Sequence, residues 1–194
     1  APVRFELGVI TVDPEVQGFD PQSLTAYYDK LGIAWHYCQQ PIMEQARSSM
    51  DGDSFCAYCA RMKRGIMYTT CRENDYNVLA LAQHLDDLAE SFLMSAFHQG
   101  RLGTMKAQYT NDAGDIRIIR PLAYVRETQT AAFADTAKLP IIPDSCPACF
   151  TAPTQRTHFK ALLAQEERGN PQLNAKLLHA MRPLMGEMAA SQGS

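Results

Sequence analysis

Residues 77–100 read NVLALAQHLDDLAESFLMSAFHQG and decide the class of fold. The segment 77–84 carries almost no charge, which is typical of a β-strand that is covered on both faces. Residues 86–100 predict a helix that ends at Gly100, because glycine readily adopts the left-handed conformation that closes many helices. A strand followed directly by a helix is the repeating unit of α/β folds with a parallel sheet.

The same alternation precedes this segment. Two further strands and two further helices are predicted upstream, in the order strand 5–13, helix 21–32, strand 33–38 and helix 53–74. We therefore expect an α/β fold, a parallel sheet with flanking helices and right-handed crossovers.

The second half of the chain departs from this pattern. Residues 104–122 predict a β-hairpin around a glycine-containing turn, and a helix is expected at about 127–138. Two helices broken near Gly169 follow from residue 155 onwards. We expect an α/β domain over residues 1–150 and a C-terminal helical extension over residues 151–194.

Composition narrows the classes of function. Of the 194 residues, 46% are hydrophobic and 20% are charged, which excludes a disordered chain. No apolar run reaches the roughly 18 residues of a membrane span, and the first residues lack the pattern of a signal peptide. We expect a cytoplasmic protein without a membrane partner. The net charge of −3 gives no global attraction for nucleic acid, so an RNA partner would need a local basic patch.

The cysteines form two pairs with the spacing CxxC. Cys56 and Cys59 lie three residues apart in a predicted helix, so both thiols face the same side. Cys146 and Cys149 lie in a proline-flanked loop that is free to approach them. Disulfides are rare in the cytosol, and thiolates suit zinc or iron–sulfur clusters. The spacing alone leaves structural zinc, an iron–sulfur cluster and a redox dithiol open.

The basic residues after the first cysteine pair have both a functional and a structural interpretation. Arg61, Lys63 and Arg64 follow the first cysteine pair and form either an RNA-binding surface or a solvated helix face.

His84, Asp86 and Asp87 lie where the third predicted strand meets the next helix. Ligands of open α/β sheets bind outside the carboxyl ends of strands, which favours magnesium or nucleotide binding by these residues. The structural alternative is that an aspartate caps the helix and that His84 is satisfied locally.

Four motifs occur in a characteristic order: CAYCARMKRG at 56–65, LAQHLDD at 81–87, IIRPLAYVRE at 118–127 and LPIIPDSCPACF at 139–150. Together they resemble the tRNA 2-thiocytidine synthetase family (tRNA-cytidine 2-sulfurtransferases) of the PP-loop ATPases. The resemblance runs from about Phe5 to Met188. It implies an adenine nucleotide alpha hydrolase-like fold and an enzyme that uses ATP and magnesium to adenylate the C2 oxygen of a cytidine in the tRNA anticodon loop. Sulfur then replaces that oxygen, with a cysteine desulfurase system as the expected donor.

The resemblance also assigns the cysteines. By position in the motifs, Cys56, Cys59 and Cys149 match the three ligands of a [4Fe–4S] cluster, since Pro153 reproduces the proline that follows the third ligand. Cys146 matches an extra cysteine that need not bind the metal.

The resemblance assigns the remaining motif residues as well. His84, Asp86 and Asp87 match the catalytic HxDD positions, although Gln83 replaces the family's first histidine. Because the cluster that the resemblance implies must lie beside bound tRNA for sulfur to reach the base, we expect the basic residues Arg61, Lys63 and Arg64 to contact tRNA phosphates.

One family element does not occur in this sequence. An SGGxDS loop, whose backbone amides would hold the pyrophosphate, is absent from these residues. We expect an N-terminally truncated form of the enzyme that does not activate cytidine alone; the alternatives are a loop supplied otherwise, or a protein that has lost ATP chemistry and kept the cluster. A sheet without that strand would expose an edge that a homodimer could cover.

A non-catalytic module is the rival interpretation. There, zinc would fasten the C-terminal loop to the cysteine helix. Five arginine and lysine residues would bind RNA or a protein partner: Arg61, Lys63, Arg64, Arg101 and Arg126.

Overall fold

The computed structural model describes residues 3–49, 55–142 and 154–186. The chain forms two compact units: a first unit of Ala1–Tyr76 with Lys138–Ala152, and a second unit of Asn77–Ala137 with Pro153–Ser194. Within the described ranges, no helix is long and apolar enough to cross a membrane.

The first unit has two parallel strands and three helices. In chain order they are β1 Gly8–Asp13, α1 Gln22–Leu31, β2 Ala34–Gln39, α2 Ile42–Ser49 and α3 Phe55–Glu73. β1 and β2 pair from Gly8 with Ala34 to Asp13 with Gln39. α1 ends at Gly32, whose φ of 64° is the left-handed conformation that the sequence predicted.

Partly buried polar contacts link the elements of the first unit. Trp35 Nε1 donates to Thr11 Oγ1 across the two strands at 2.9 Å. The Tyr37 hydroxyl donates to the carboxylate of Asp13, which is buried at the end of β1. Cys38 Sγ lies 3.3 Å from the hydroxyl of Thr70 on α3. The carboxyl end of β2 therefore lies against the C-terminal half of α3.

The second unit has a mixed sheet and a layer of helices. Its elements are β3 Val78–Ala80, α4 Leu85–Gln99, β4 Gln108–Thr110, β5 Arg117–Ile119, α5 Glu127–Thr136, α6 Gln155–Gly169, α7 Leu173–Met181 and a 3-10 turn at Arg182–Leu184. The strand order is β3-β5-β4, with β3 parallel to β5 and β4 antiparallel to it. The parallel strands with flanking helices confirm the predicted α/β class, and β4 with β5 confirms the hairpin.

The prediction for residues 77–84 was partly wrong. β3 has three residues, and Val78 is 41% exposed, so the strand is not covered on both faces. Among the described strands, β3 lies at the edge of its sheet and pairs with β5. After Ala80, the backbone N–H of Leu81 still donates to Ile119 O at 2.9 Å, and the backbone is extended at His84.

α4 forms the centre of the core of the second unit. Leu85, Leu88 and Ala89 on α4 pack with Met181 and Met185 at the C-terminal end of α7 and beyond. α6 also packs against α4. The expected division into residues 1–150 and 151–194 stays a prediction, but the described helices of the C-terminal segment share a core with α4.

Candidate functional site

The sequence motif at the start of α4 forms a capping box. Asp87 N donates to His84 Nδ1 at 3.4 Å, and His84 N donates to Asp87 Oδ2 at 3.1 Å. Two backbone N–H groups that the helix leaves unpaired are thereby satisfied. The structural alternative was therefore right in part: the residues cap the helix, but His84 rather than an aspartate is the N-cap residue, and Asp87 bonds back to it from the third position of the helix.

Asp86 is held by a neighbouring arginine. Arg126, which precedes α5, places Nε 3.0 Å from Asp86 Oδ1 and Nη2 3.0 Å from the same oxygen. The backbone N–H of Glu127 donates to Asp86 Oδ2 at 2.7 Å. Both oxygens of this carboxylate therefore accept hydrogen bonds within the second unit.

Arg126 joins Asp86 to the C-terminal helices. Its Nη1 and Nη2 lie 2.8 and 3.0 Å from the two carboxylate oxygens of Glu167 on α6, and Asn174 on α7 donates to Glu167 at 2.8 Å. The hydrogen bond to Glu167 is the main cause that raises the pKa of Arg126, and the Arg126 guanidinium in turn lowers the pKa of Glu167. The Arg126 guanidinium thus contacts two carboxylates within the second unit, and the rival interpretation that it binds RNA or a protein partner stays a prediction.

A second arginine reaches the motif from α6. Arg156 Nη1 lies 2.8 Å from Asp87 Oδ1, and its Nε lies 3.6 Å from Glu90 Oε2. Glu90 is only 3% exposed, and burial raises its pKa although the charge of Arg156 opposes that change. Lys160 on the same helix donates to Glu127 at 2.7 Å.

These contacts form a charge network around one small cavity. The network comprises Asp86, Asp87, Glu90, Arg126, Glu127, Arg156, Lys160, Glu167 and Asn174, and the cavity beside it has a volume of about 180 Å³. The sequence located Asp86 and Asp87 but missed Glu90, Arg156 and Glu167. Arg126 lies in the motif IIRPLAYVRE, which could have indicated its role at this site. The sequence around Glu167 contains no motif that indicates such a role. The catalytic assignment of His84, Asp86 and Asp87 stays a prediction.

The first cysteine pair lies in the N-terminal part of α3. Cys56 is exposed and Cys59 is half-buried. Their i, i+3 spacing on a helix places both thiols on one side, as two ligands of a single metal centre require. Cys146 and Cys149 lie outside the described residues. In the part of the chain that the structure describes, no three histidine, cysteine, aspartate or glutamate side chains are arranged so that they could hold a metal ion.

The basic residues after the pair lie on two sides of α3. Arg61 and Arg64 are exposed and share a face by their i, i+3 spacing, and the Arg61 guanidinium lies 6.0 Å from the ring centre of Tyr58. Lys63 is half-buried and, four residues after Cys59, lies on the side of the thiols. RNA binding by these residues stays a prediction.

The fold and the motif at the start of α4 define a PP-loop domain, and residues 22–153 match the PP-loop domain family. The tRNA-cytidine(32) 2-sulfurtransferase of Geobacter sulfurreducens is 37% identical over 182 residues, which cover 93% of this chain and 71% of that protein. The enzyme of the same name from Xylella fastidiosa strain M12 is 32% identical over 99% of this chain and 64% of its own length. The chain therefore belongs to the PP-loop family and, within it, to the tRNA-cytidine 2-sulfurtransferases.

A solved structure supports the fold independently. The U34-tRNA thiolase NcsA from Methanococcus maripaludis, determined with its [4Fe–4S] cluster, superposes with a TM-score of 0.73 at 17% identity. The match covers 95% of this chain and 63% of that protein. At this identity the likeness confirms the α/β fold.

Proposed function

We propose that the protein is a cytoplasmic sulfurtransferase that takes part in the ATP-dependent 2-thiolation of a cytidine in tRNA. The observation that carries the proposal is the placement of Cys56 and Cys59 on one side of α3, with Lys63 on that side, in a chain of this family. A thiol pair at the surface of a helix can hold a metal centre, and a neighbouring cation can contact an RNA phosphate.

The cysteines are proposed to hold a [4Fe–4S] cluster. Cys56 and Cys59 fit two of its thiolate ligands, Cys149 is the proposed third, and Cys146 is the extra cysteine. When bound, the cluster supplies an iron without a protein ligand, at which sulfur from a cysteine desulfurase system can be carried. Zinc bound by the same cysteines would instead support the alternative of a non-catalytic binding module.

The metal centre is tested by anaerobic purification and metal analysis of single Cys→Ala variants. We expect a brown protein with charge-transfer absorbance, and loss of iron in Cys56→Ala, Cys59→Ala and Cys149→Ala. A colourless protein that contains zinc would support the binding module instead. Iron that is retained in Cys149→Ala and lost in Cys146→Ala would reverse the assignment of these two residues.

The motif at the start of α4 is proposed to serve ATP and magnesium. Carboxylate oxygens are the ligands that magnesium prefers. Asp86 and Asp87 carry such oxygens at the N-terminus of α4, and a bound magnesium ion would replace some of the contacts that these oxygens make in the structure. Arg126 and Arg156 hold the two carboxylates in position and balance their charge.

The tRNA surface is proposed to include Arg61, Lys63 and Arg64. Each phosphate that a cation neutralises adds to the salt dependence of RNA binding through release of counterions. We expect Lys63→Ala and Arg64→Ala to weaken tRNA binding and each to lower the slope of log affinity against log salt by about 0.7–0.9. Lys30→Ala, an exposed lysine on α1, is the matched control. If tRNA affinity and its salt dependence are unchanged in both variants, these residues belong to a solvated helix face and do not bind RNA.

A further inference from the structure

The first unit contains a cavity that has Arg61 in common with the proposed tRNA surface. It has a volume of about 400 Å³ and lies between the carboxyl end of β2 and one side of α3. Among its lining residues are Gln40 after β2 and Arg61, Met62, Gly65 and Thr69 on α3. The volume is within the roughly 300–1,000 Å³ of pockets that bind small organic ligands. The carboxyl end of a parallel strand is also where α/β folds bind their ligands.

Gly65 on α3 is one of the residues that line this cavity. Glycine in the interior of a helix is less stable than alanine, so its use calls for a reason. Among the described residues, and apart from the chain neighbours and the backbone of α3 itself, no atom lies within 4 Å of the position that a Cβ would take at Gly65, and the backbone there has no positive φ. Neither packing nor conformation within the described chain requires glycine, and an added side chain would take up space in the cavity.

The cavity lies on the same side of α3 as Cys59. Ile66 and Thr70, which also line it, follow Cys59 by seven and eleven residues, close to two and three helical turns. Met62, one turn after Cys59, lies about 4.5 Å further along the helix axis. A ligand in the cavity would therefore lie beside the proposed metal centre.

The lining suits a nucleotide. Met62 and Ile66 supply apolar surface for the face of a base, and Arg61 supplies a guanidinium for a phosphate. The Oε1 atom of Gln40 is buried and has no hydrogen-bond partner in the described structure. An amino group on a bound base would provide that partner once the Gln40 amide turns towards the cavity, and cytosine carries such a group.

We propose that this cavity receives the target cytidine of the tRNA, turned out of its stack, with Gln40 at the base edge and Arg61 at the phosphate. This inference rests on the proposed function and adds the location at which the enzyme would bind its substrate base. Enzymes that modify a base must take it out of the stack into a pocket, at a cost that contacts of this kind offset.

The test uses Gly65→Ala. Because the methyl group meets open space and alanine favours a helix, we expect the midpoint of thermal unfolding to rise by about 2–4 °C. The same methyl group narrows the cavity, so we expect at least about tenfold weaker binding of a tRNA anticodon stem-loop that carries cytidine at position 32. Gly169→Ala, at another helical glycine without neighbours, is the matched control and should bind this RNA like wild type.

A second variant tests recognition of the base. Wild type should bind the cytidine stem-loop better than one with uridine at the same position, and Gln40→Leu should lose this preference while its melting temperature stays the same or rises. If Gly65→Ala and Gln40→Leu bind the RNA as wild type does, while Lys63→Ala still weakens binding, the cavity is not the cytidine site. The proposed function would be unaffected by that result. Failure of wild type to bind either RNA would overturn both.

Discussion

Replacement of Arg126 by alanine should destabilise the second unit through two separate carboxylates. The guanidinium contacts Asp86 at 3.0 Å and Glu167 at 2.8 Å, and these two residues lie on different helices. Without it, Asp86 keeps the backbone N–H of Glu127, whereas Glu167 keeps the Asn174 amide as its hydrogen-bond donor within the described residues.

The magnitude follows from the exposure of each pair. Asp86 is 17% exposed, so its charged hydrogen bonds are expected to contribute about 1.5–3 kcal/mol to the free energy of unfolding. Glu167 is 36% exposed, and solvent screening lowers its share to about 0.2–1 kcal/mol. The sum is about 3 kcal/mol, and in a chain of this length it corresponds to a melting temperature lower by about 6–12 °C.

The assay is thermal unfolding followed by far-UV circular dichroism. Arg126→Lys keeps the charge but not the planar fork that serves two carboxylates, so its destabilisation should be intermediate. Arg168→Ala removes an exposed arginine from α6 and should change the melting temperature little. A double-mutant cycle of Arg126→Ala with Glu167→Ala should show a coupling of at least about 0.5 kcal/mol. A melting temperature of Arg126→Ala within about 2 °C of wild type would refute the stabilising role of the network.

Four other predictions concern titration, packing and nucleotide binding. Burial raises the pKa of Glu90. The stability that this carboxyl group contributes is therefore complete below its ordinary pKa of 4.5 and is lost as pH rises. Glu90→Gln should raise the free energy of urea unfolding at pH 7 and leave it unchanged near pH 4. Arg126 lowers the pKa of Glu167, so the destabilisation in Glu167→Gln should be present at pH 7 and disappear as pH falls below 4.5. Leu88 is fully buried in the core around α4, and Leu88→Ala should cost about 2–5 kcal/mol in the same unfolding assay, whereas a cost below about 1 kcal/mol would contradict that core. Calorimetry of residues 1–194 should show weak ATP binding that depends on magnesium, since no SGGxDS sequence supplies backbone amides here; tight binding without the metal would contradict this expectation.

The sequence determined the elements whose signals are local. α1 and α4 end where glycine allows the left-handed conformation, at Gly32 and Gly100, and both limits were predicted within one residue. The spacing of Cys56 and Cys59 predicted their common side on α3, because helical periodicity depends only on position along the chain. The order of the motifs was enough to predict the family, which the comparisons confirm.

Only the tertiary structure decided which distant charges meet. Arg126 and Glu167 are separated by 41 residues, and they pair because α6 packs against α4 around a shared apolar core. The raised pKa of Glu90 depends on that packing too, since a carboxyl group on an isolated helix would face water. The short β3 strand was mispredicted for a related reason: apolar composition indicates burial, but whether both faces of a strand are covered depends on which elements pack on the sheet. Local conformational preference depends on neighbouring residues in the sequence. Burial and ion pairing depend on surfaces that come into contact only when the chain has folded.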